Sequence, residues 1–195
     1  MLKLDGNRYK DTTSVPGYTI RRYRPRVEGL FARIERWTNQ SEPADCFWRS
    51  ISKDNITTWY GRTENSRIAD PLDKLRIFSW LICQSYDDRG NAIVYEYKSE
   101  DSQRIFEDQQ GQVVARAHER NRSDNKNDKD KANRTANRYL KRIYYGNRSP
   151  FLPELKDNTT WPDPPAPVAL DGTPNWLFPT LVVAMVAAGA AGDGP

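Results

Sequence analysis

The chain has 195 residues, 37% hydrophobic and 29% charged, with a mean hydropathy of -0.87, which leaves room for one domain with a small core and argues against a membrane protein. Lys and Arg number 30 against 26 Asp and Glu, a net charge of +4 that is too weak a basic excess to indicate nucleic acid as the partner. The aromatic residues, 6 Trp, 10 Tyr and 6 Phe, supply much of the apolar surface, as in aromatic-rich β proteins.

Residues 1–17 form a polar N-terminal segment ending in Pro16-Gly17, with no apolar stretch suited to a secretory signal. Residues 18–26 carry the basic cluster RRYRPR. Two readings of it stand, a phosphate-binding patch and a solvated strand face interrupted by Pro25, and the weak overall charge favours the second. Residues 27–37, VEGLFARIERW, predict a strand in which Leu30, Ala32 and Ile34 alternate with Phe31, Arg33, Glu35 and Trp37, making Phe31 and Ile34 core candidates. A polar loop follows over 38–45. Residues 46–61, CFWRSISKDNITTWYG, predict a hairpin that turns at Lys53-Asp54-Asn55, with Trp48 and Trp59 in the core. Residues 61–75 are a connector in which Asp70-Pro71 disfavours helix at Asp70.

The central stretch, 76–101, predicts a long hairpin with arms at 77–86 and 92–98. The loop is Asp87-Asp88-Arg89-Gly90, in which the aspartates start the turn and Gly90 takes the positive φ that closes it. A loop of that length sets Tyr86 opposite Asn91, Ile82 opposite Tyr95 and Trp80 opposite Tyr97. Phe78, Trp80, Ile82, Tyr95 and Tyr97 are therefore core candidates, although the pattern alone fits a core hairpin in any all-β protein.

Beyond it, Asn, Asp, Lys and Arg dominate, and RNRSDNKNDKDK over 120–131 has no apolar residue at all. Such a run cannot bury enough surface to offset its ordering entropy, so 118–138 is expected to be a mobile charged excursion. Residues 139–145, YLKRIYY, predict a third strand beside the hairpin with Ile143 in the core. Pro150, Pro153, Pro162, Pro164, Pro165 and Pro167 then favour extended or irregular chain. Residues 154–195 read as a Pro-rich and then Ala/Gly-rich tail from a truncated or frame-shifted reading frame. The apolar run 181–191 is about half the roughly 20 residues of a spanning helix and contains Gly189, so no membrane insertion is expected.

Chemistry is sparse. Cys46 and Cys83 form no CxxC and, with a single histidine, no metal pattern. Both fall in strand-like runs that suit buried thiols, and a disulfide between them stays open. His118 sits in AHER without an accompanying nucleophile motif, which fits a solvated loop histidine. GxGxxG, Walker and HExxH motifs are missing. The residues predict no catalytic group, no cofactor and no metal site.

A resemblance adds to this reading. The strings YRPRVEGLFARIERWTN, WRSISKDNITTWYGRTENSRIADP, RIFSWLICQSYDDRGNAIVYEYKSED, AHERNR and ANRYLKRIYYGNRSPFLP resemble, in order, the N-terminal domain of the Salmonella virulence plasmid B protein family, SpvB. The same domain opens the B component of insecticidal Tc toxin complexes. SYDDRGN over 85–91 also resembles the tyrosine–aspartate repeats of Rhs-type proteins, which build wide β-shells. The resemblance implies an all-β fold, mainly antiparallel hairpins forming a fragment of a shell wall, with a structural and toxin-delivery role. Its implied partners are other shell segments and the A and C components of such a complex. It implies synthesis in the bacterial cytoplasm followed by release as part of the complex. In enzymatic family members a separate C-terminal domain ADP-ribosylates actin through a Glu-x-Glu pair, and no two glutamates here have that spacing. The resemblance is expected to fade after 161–178. Two other readings stand beside the wall fragment: the targeting half of an actin-modifying effector, and a small aromatic-rich β module binding glycan or single-stranded nucleic acid.

Overall fold

β-branched and aromatic residues recur at the short spacing of strands, and the computed structural model places them there, describing residues 2–4, 10–27, 29, 31–99, 136–153, 165 and 174–181. The strands are β1 (Leu2–Leu4), β2 (Lys10–Asp11), β3 (Tyr18–Pro25), β4 (Arg33–Asn39), β5 (Cys46–Ile51) and β6 (Thr57–Tyr60). A single 3₁₀ turn (Glu64–Ser66) leads into β7 (Arg67–Asp70) and β8 (Asp73–Trp80). They are followed by β9 (Ile82–Tyr86), β10 (Ala92–Ser99), β11 (Arg138–Asn147) and β12 (Trp176–Leu181). The protein is thus all-β and antiparallel among the described residues.

Ten strands form one sheet in the order β1-β3-β4-β5-β6-β9-β10-β11-β12, with β2 paired to β3 beside β1. Neighbours in space are neighbours in sequence from β3 to β6 and from β9 to β12, as short connections favour. The one interruption is β7–β8, a separate two-stranded ribbon inserted between β6 and β9.

One face of the sheet carries an aromatic core. Trp59 is 1% exposed and meets Trp37 edge-on at 5.5 Å and Phe47 at 5.8 Å, while Tyr18 closes on Phe47 at 5.6 Å. Val15, Ile20, Cys83, Tyr86, Ala92 and Trp176 complete the cluster. Such ring pairs are each worth about 0.5–1.5 kcal/mol beyond the area they bury, which is how a chain with few aliphatic residues holds a core. Val15 shows that the polar N-terminal segment also contributes to that core.

Several expectations need correction. The arm 77–86 is not one strand: it breaks at Leu81, and only β9 pairs with β10. Tyr86 lies opposite Ala92 rather than Asn91, because the connecting loop has one residue more than expected. Trp80 pairs with Arg67 in the ribbon, not with Tyr97, and Ile82 faces Tyr60 of β6 on its other side. Tyr95 pairs with Ile143. The strand expected over 27–37 begins only at Arg33, since the chain must turn after Pro25; Val27 is 81% exposed and Phe31 72%, the latter at φ +48 in the loop. Phe78 is 88% exposed, because among the described residues β8 has only β7 beside it. β12 supplies a strand where the sequence suggested only tail. The charged excursion lies outside the described residues up to 135.

Candidate functional site

At one end of the aromatic core the buried face turns ionic. β4 alternates, so Glu35 and Trp37 point the same way, into the sheet's covered face, and Glu35 is completely buried. Its Oε2 accepts from Arg49 Nε at 2.9 Å and Nη2 at 2.7 Å, and from Trp37 Nε1 at 3.2 Å. Its Oε1 accepts from Arg33 Nε at 2.5 Å and lies 3.6 Å from Arg22 Nε. Arg49 is itself buried and sandwiched, its Cζ 4.8 Å from the Trp37 ring centre and 5.2 Å from that of Trp59. Burial alone would push the Glu35 carboxyl up, but the charges and hydrogen bonds of Arg49 and Arg33 outweigh it and hold it below the ordinary carboxylate value. The carboxylate is therefore a fixed anion clamped by arginines, unsuited to proton transfer near neutrality.

A second junction joins the ribbon to the main sheet. Arg67, the first residue of β7, reaches back to Asp45 Oδ1 at 2.6 Å and to the carbonyls of Gly61 and Ala44. Asp45 also accepts from Tyr18 and Asn39. Burial tends to raise its pKa, and Arg67 more than reverses this, so the net direction is downward. Trp80, the last residue of β8, donates its Nε1 to the Cys46 carbonyl at 3.0 Å and meets Trp48 edge-on at 5.9 Å. Its indole lies against Gly61, at φ +66, where any Cβ would collide with the ring. Gly61 N–H donates to Leu81 O at 2.7 Å and Leu81 N–H to Ser66 O at 2.8 Å, which pins both ends of the insertion. From this base the ribbon projects Leu72, Leu75 and Phe78, all more than half exposed.

The third feature is the turn between β9 and β10. Asp87 Oδ1 accepts from the backbone N–H of Arg89 and Asn91, and Asn91 Nδ2 donates to Asp87 Oδ2 at 2.8 Å. The Asn91 side chain comes first among the causes that lower the Asp87 pKa. Gly90 closes the turn at φ +88, and Asp88 accepts from Asn55 of the neighbouring hairpin turn at 3.3 Å. Asn147 then locks this turn to β11, donating to Gly90 O and Ser149 O at 2.7 Å each and accepting from Ala92 N–H at 2.8 Å.

Of the core candidates, Trp59 is buried; Ile34, Trp48, Trp80, Ile82, Tyr95, Tyr97 and Ile143 are half-buried, and Phe31 and Phe78 are exposed. The structure gathers Trp48 with Trp80 and Tyr95 with Ile143, but brings no set of them into a chemical site. Sequence reasoning missed Glu35, Arg49, Arg67 and Asn147. The place of Glu35 beside Trp37 at strand spacing was a usable signal; Asp45 as partner of Arg67, and Gly90 and Ala92 as partners of Asn147, lie far off in sequence and left none. Cys46 and Cys83 are both buried free thiols, and His118 lies outside the described residues. Among the described residues no group of three or more His, Cys, Asp or Glu is placed to hold a metal ion.

The family model described as the Salmonella virulence plasmid 65kDa B protein, SpvB, matches residues 2–181, through the end of β12. The Mono(ADP-ribosyl)transferase SpvB of Salmonella typhimurium is 30% identical over 142 residues, 73% of this chain and 21% of that protein, and the protein of the same name from Salmonella enteritidis matches equally. This chain therefore spans about a fifth of the length of those relatives. Among solved structures, the N-terminal domain of effector protein SpvB from Salmonella typhimurium strain LT2 superposes with a TM-score of 0.54 at 29% identity, covering 77% of this chain and 40% of that one. TcdB2-TccC3 gives a TM-score of 0.58 at 28% identity, covering 83% of this chain and 7% of its own. A Tc holotoxin pore from Photorhabdus luminescens gives 0.57 at 27%, with the same coverage.

Proposed function

This chain belongs to the SpvB family, and from that premise we propose that it serves as a wall module of a Tc-type toxin-delivery assembly, contributing strands and docking faces and no catalysis of its own. The observation that carries this reading is the form of the sheet. It is long and antiparallel, and β12 has a single strand partner among the described residues. An open strand edge of this kind is a template for a further strand. The likeness to TcdB2-TccC3 and to the Tc holotoxin pore supports it, because those are large assemblies of which this fold is a small part. On this reading the partners are neighbouring shell segments and the other complex components, and the protein leaves the cell as part of that complex.

A second reading is favoured by the likeness to the N-terminal domain of effector protein SpvB: a targeting or carrier half for a separate transferase. The arginine-clamped state of Glu35 fits either one, since it offers no free acid–base pair. One experiment separates them. The chain is co-expressed with a B-component shell from which the homologous strands have been deleted, and the shell is isolated by size. Co-migration with the shell is expected. Failure to join it, together with release of nicotinamide from nicotinamide dinucleotide by the purified chain, would overturn both the wall reading and the non-enzyme reading.

A further inference from the structure

Strand alternation divides the basic run of β3, sending Arg22 to the face that holds Glu35 and Trp37 and Arg21 to the opposite face. On that opposite face the strand register lines cations up instead of pairing them with acids. Directly across from Arg21 is Arg36 of β4 on one side and Lys10 of β2 on the other. Beyond Arg36 the same row continues into Trp48 of β5. Residues directly opposite in antiparallel strands have Cβ atoms about 4.5–5.5 Å apart, so three positive charges stand within about 11 Å of one another. We propose that Arg21 and Arg36, with Lys10 beside them, form a binding site for a phosphoryl group that carries two negative charges, as in a phosphate monoester.

Like charges set directly opposite each other destabilise a sheet. Among the described residues no carboxylate comes within ion-pair range of Lys10, Arg21 or Arg36 to offset this. Asp11, next to Lys10 in sequence, turns its carboxylate to the backbone N–H groups of Thr13 and Ser14. The rows that flank the cations on the same face, Thr19–Thr38–Cys46 and Tyr23–Ile34–Ser50, contain no acid. The arginines of the other face behave differently, since Arg22, Arg33 and Arg49 all converge on Glu35.

Arg36 is the more telling of the pair. It is half-buried, its Nε is enclosed and makes no hydrogen bond, and its Nη2 donates to the Cys46 thiol at 3.5 Å, a weak acceptor. A charged group taken out of water in this way ordinarily has an ionic partner. Arg21, across from it, is exposed and makes no side-chain hydrogen bond among the described residues. One guanidinium is therefore anchored and the other open, and an oxoanion lying over the row can accept from both. A phosphate monoester matches the three cations better than a carboxylate does. It brings nearly two negative charges and three acceptor oxygens, where a carboxylate brings one charge and two oxygens. A nucleic-acid strand, with one charge on each diester, calls for a longer basic track than this row.

The test titrates phenyl phosphate into the whole chain by calorimetry near neutral pH. Dimethyl phosphate, a monoanion, and acetate are the comparators at matched ionic strength. A second arm uses flotation with vesicles containing phosphatidic acid, against vesicles containing phosphatidylglycerol, to tell a lipid headgroup from a soluble ester. Saturable binding of the monoester in at least one arm, tighter than that of its comparators, is expected. Arg21→Gln should weaken it about tenfold, in line with loss of a charge-assisted hydrogen bond. Because the same change removes a like-charge contact, it should leave the urea midpoint of the free chain unchanged or higher, which a merely structural arginine would not do. Arg36→Gln should weaken binding as well, whereas Arg76→Gln, which removes the same charge from the ribbon, should not. The proposal is overturned by no binding in either arm, by comparators that bind as tightly as the monoesters, by an equal loss in Arg76→Gln, or by indifference to Arg21→Gln.

Discussion

At the scale of single residues the protein depends on a buried charge. Removing Arg49 would leave Glu35 enclosed without its bidentate partner, so Arg49→Ala is expected to destabilise the fold by about 3–5 kcal/mol, measured by urea unfolding. Glu35→Gln/Arg49→Met, which removes both charges, should cost less, because no charge is then stranded. The same pair sets the acid response. Glu35 has its pKa depressed in the folded state, so the stabilisation it contributes is full above the ordinary carboxylate value of about 4.3 and is lost as pH falls through the lower folded value. Stability should fall below about pH 4 in the native chain and fall less steeply in Glu35→Gln. Tyr97 gives the opposite signature at high pH. Burial, then the neighbouring Cys83 and Tyr95, push its phenol up to about 12, and its hydroxyl donates to Ile82 O at 2.8 Å. The folded state therefore keeps a proton that the unfolded chain releases from its ordinary value near 10, and stability declines between those two values. Ultraviolet titration should show a late phenolate component that shrinks in Tyr97→Phe.

At the scale of elements the β7–β8 ribbon is the informative piece. A two-stranded ribbon is marginal alone. This one holds its place because Trp80, Arg67 and Gly61 fasten its base to β5 and β6. Gly61→Ala would combine a collision with the Trp80 ring and a left-handed backbone, the latter alone costing about 1–2 kcal/mol. It should release the ribbon before the main sheet unfolds, seen as early loss of amide protection over β7 and β8. Phe78→Ser should leave stability nearly unchanged, since that ring is 88% exposed. The element types over 46–60 and 138–147 follow from strand-forming residues and turn chemistry, and the sequence reading located both. It joined β8 to β9 because the apolar run crosses Leu81 without a break in composition, while the actual break is made where Leu81 O accepts from Gly61 N–H and Leu81 N–H donates to Ser66 O.

At the scale of the whole molecule the exposed apolar residues and the open edge have a common consequence. Phe78, Leu75 and Leu72 stand out on the ribbon and β12 has one partner strand among the described residues. Purified alone, the chain is expected to self-associate with rising concentration in sedimentation velocity. Phe78→Ser with Leu75→Ser should shift it towards monomer, whereas a monomer at every concentration in the unmodified chain would count against the wall reading.

The sequence by itself determined the all-β class, the positions of most strands, the turn at Asp87 to Gly90 and the family, because strand periodicity, turn residues and long distinctive strings are local properties. Only the tertiary structure decided which apolar residues are covered. Phe31 and Phe78 carry the same side chain as buried Phe47, yet one stands on a loop and the other on a ribbon outside the main sheet. It also decided that Glu35, a charged residue expected at a surface, lies buried between arginines on three different strands or strand ends. Burial depends on what is stacked above a residue from elsewhere in the chain, and a strand's own alternation states only which residues share a face, not which face is covered.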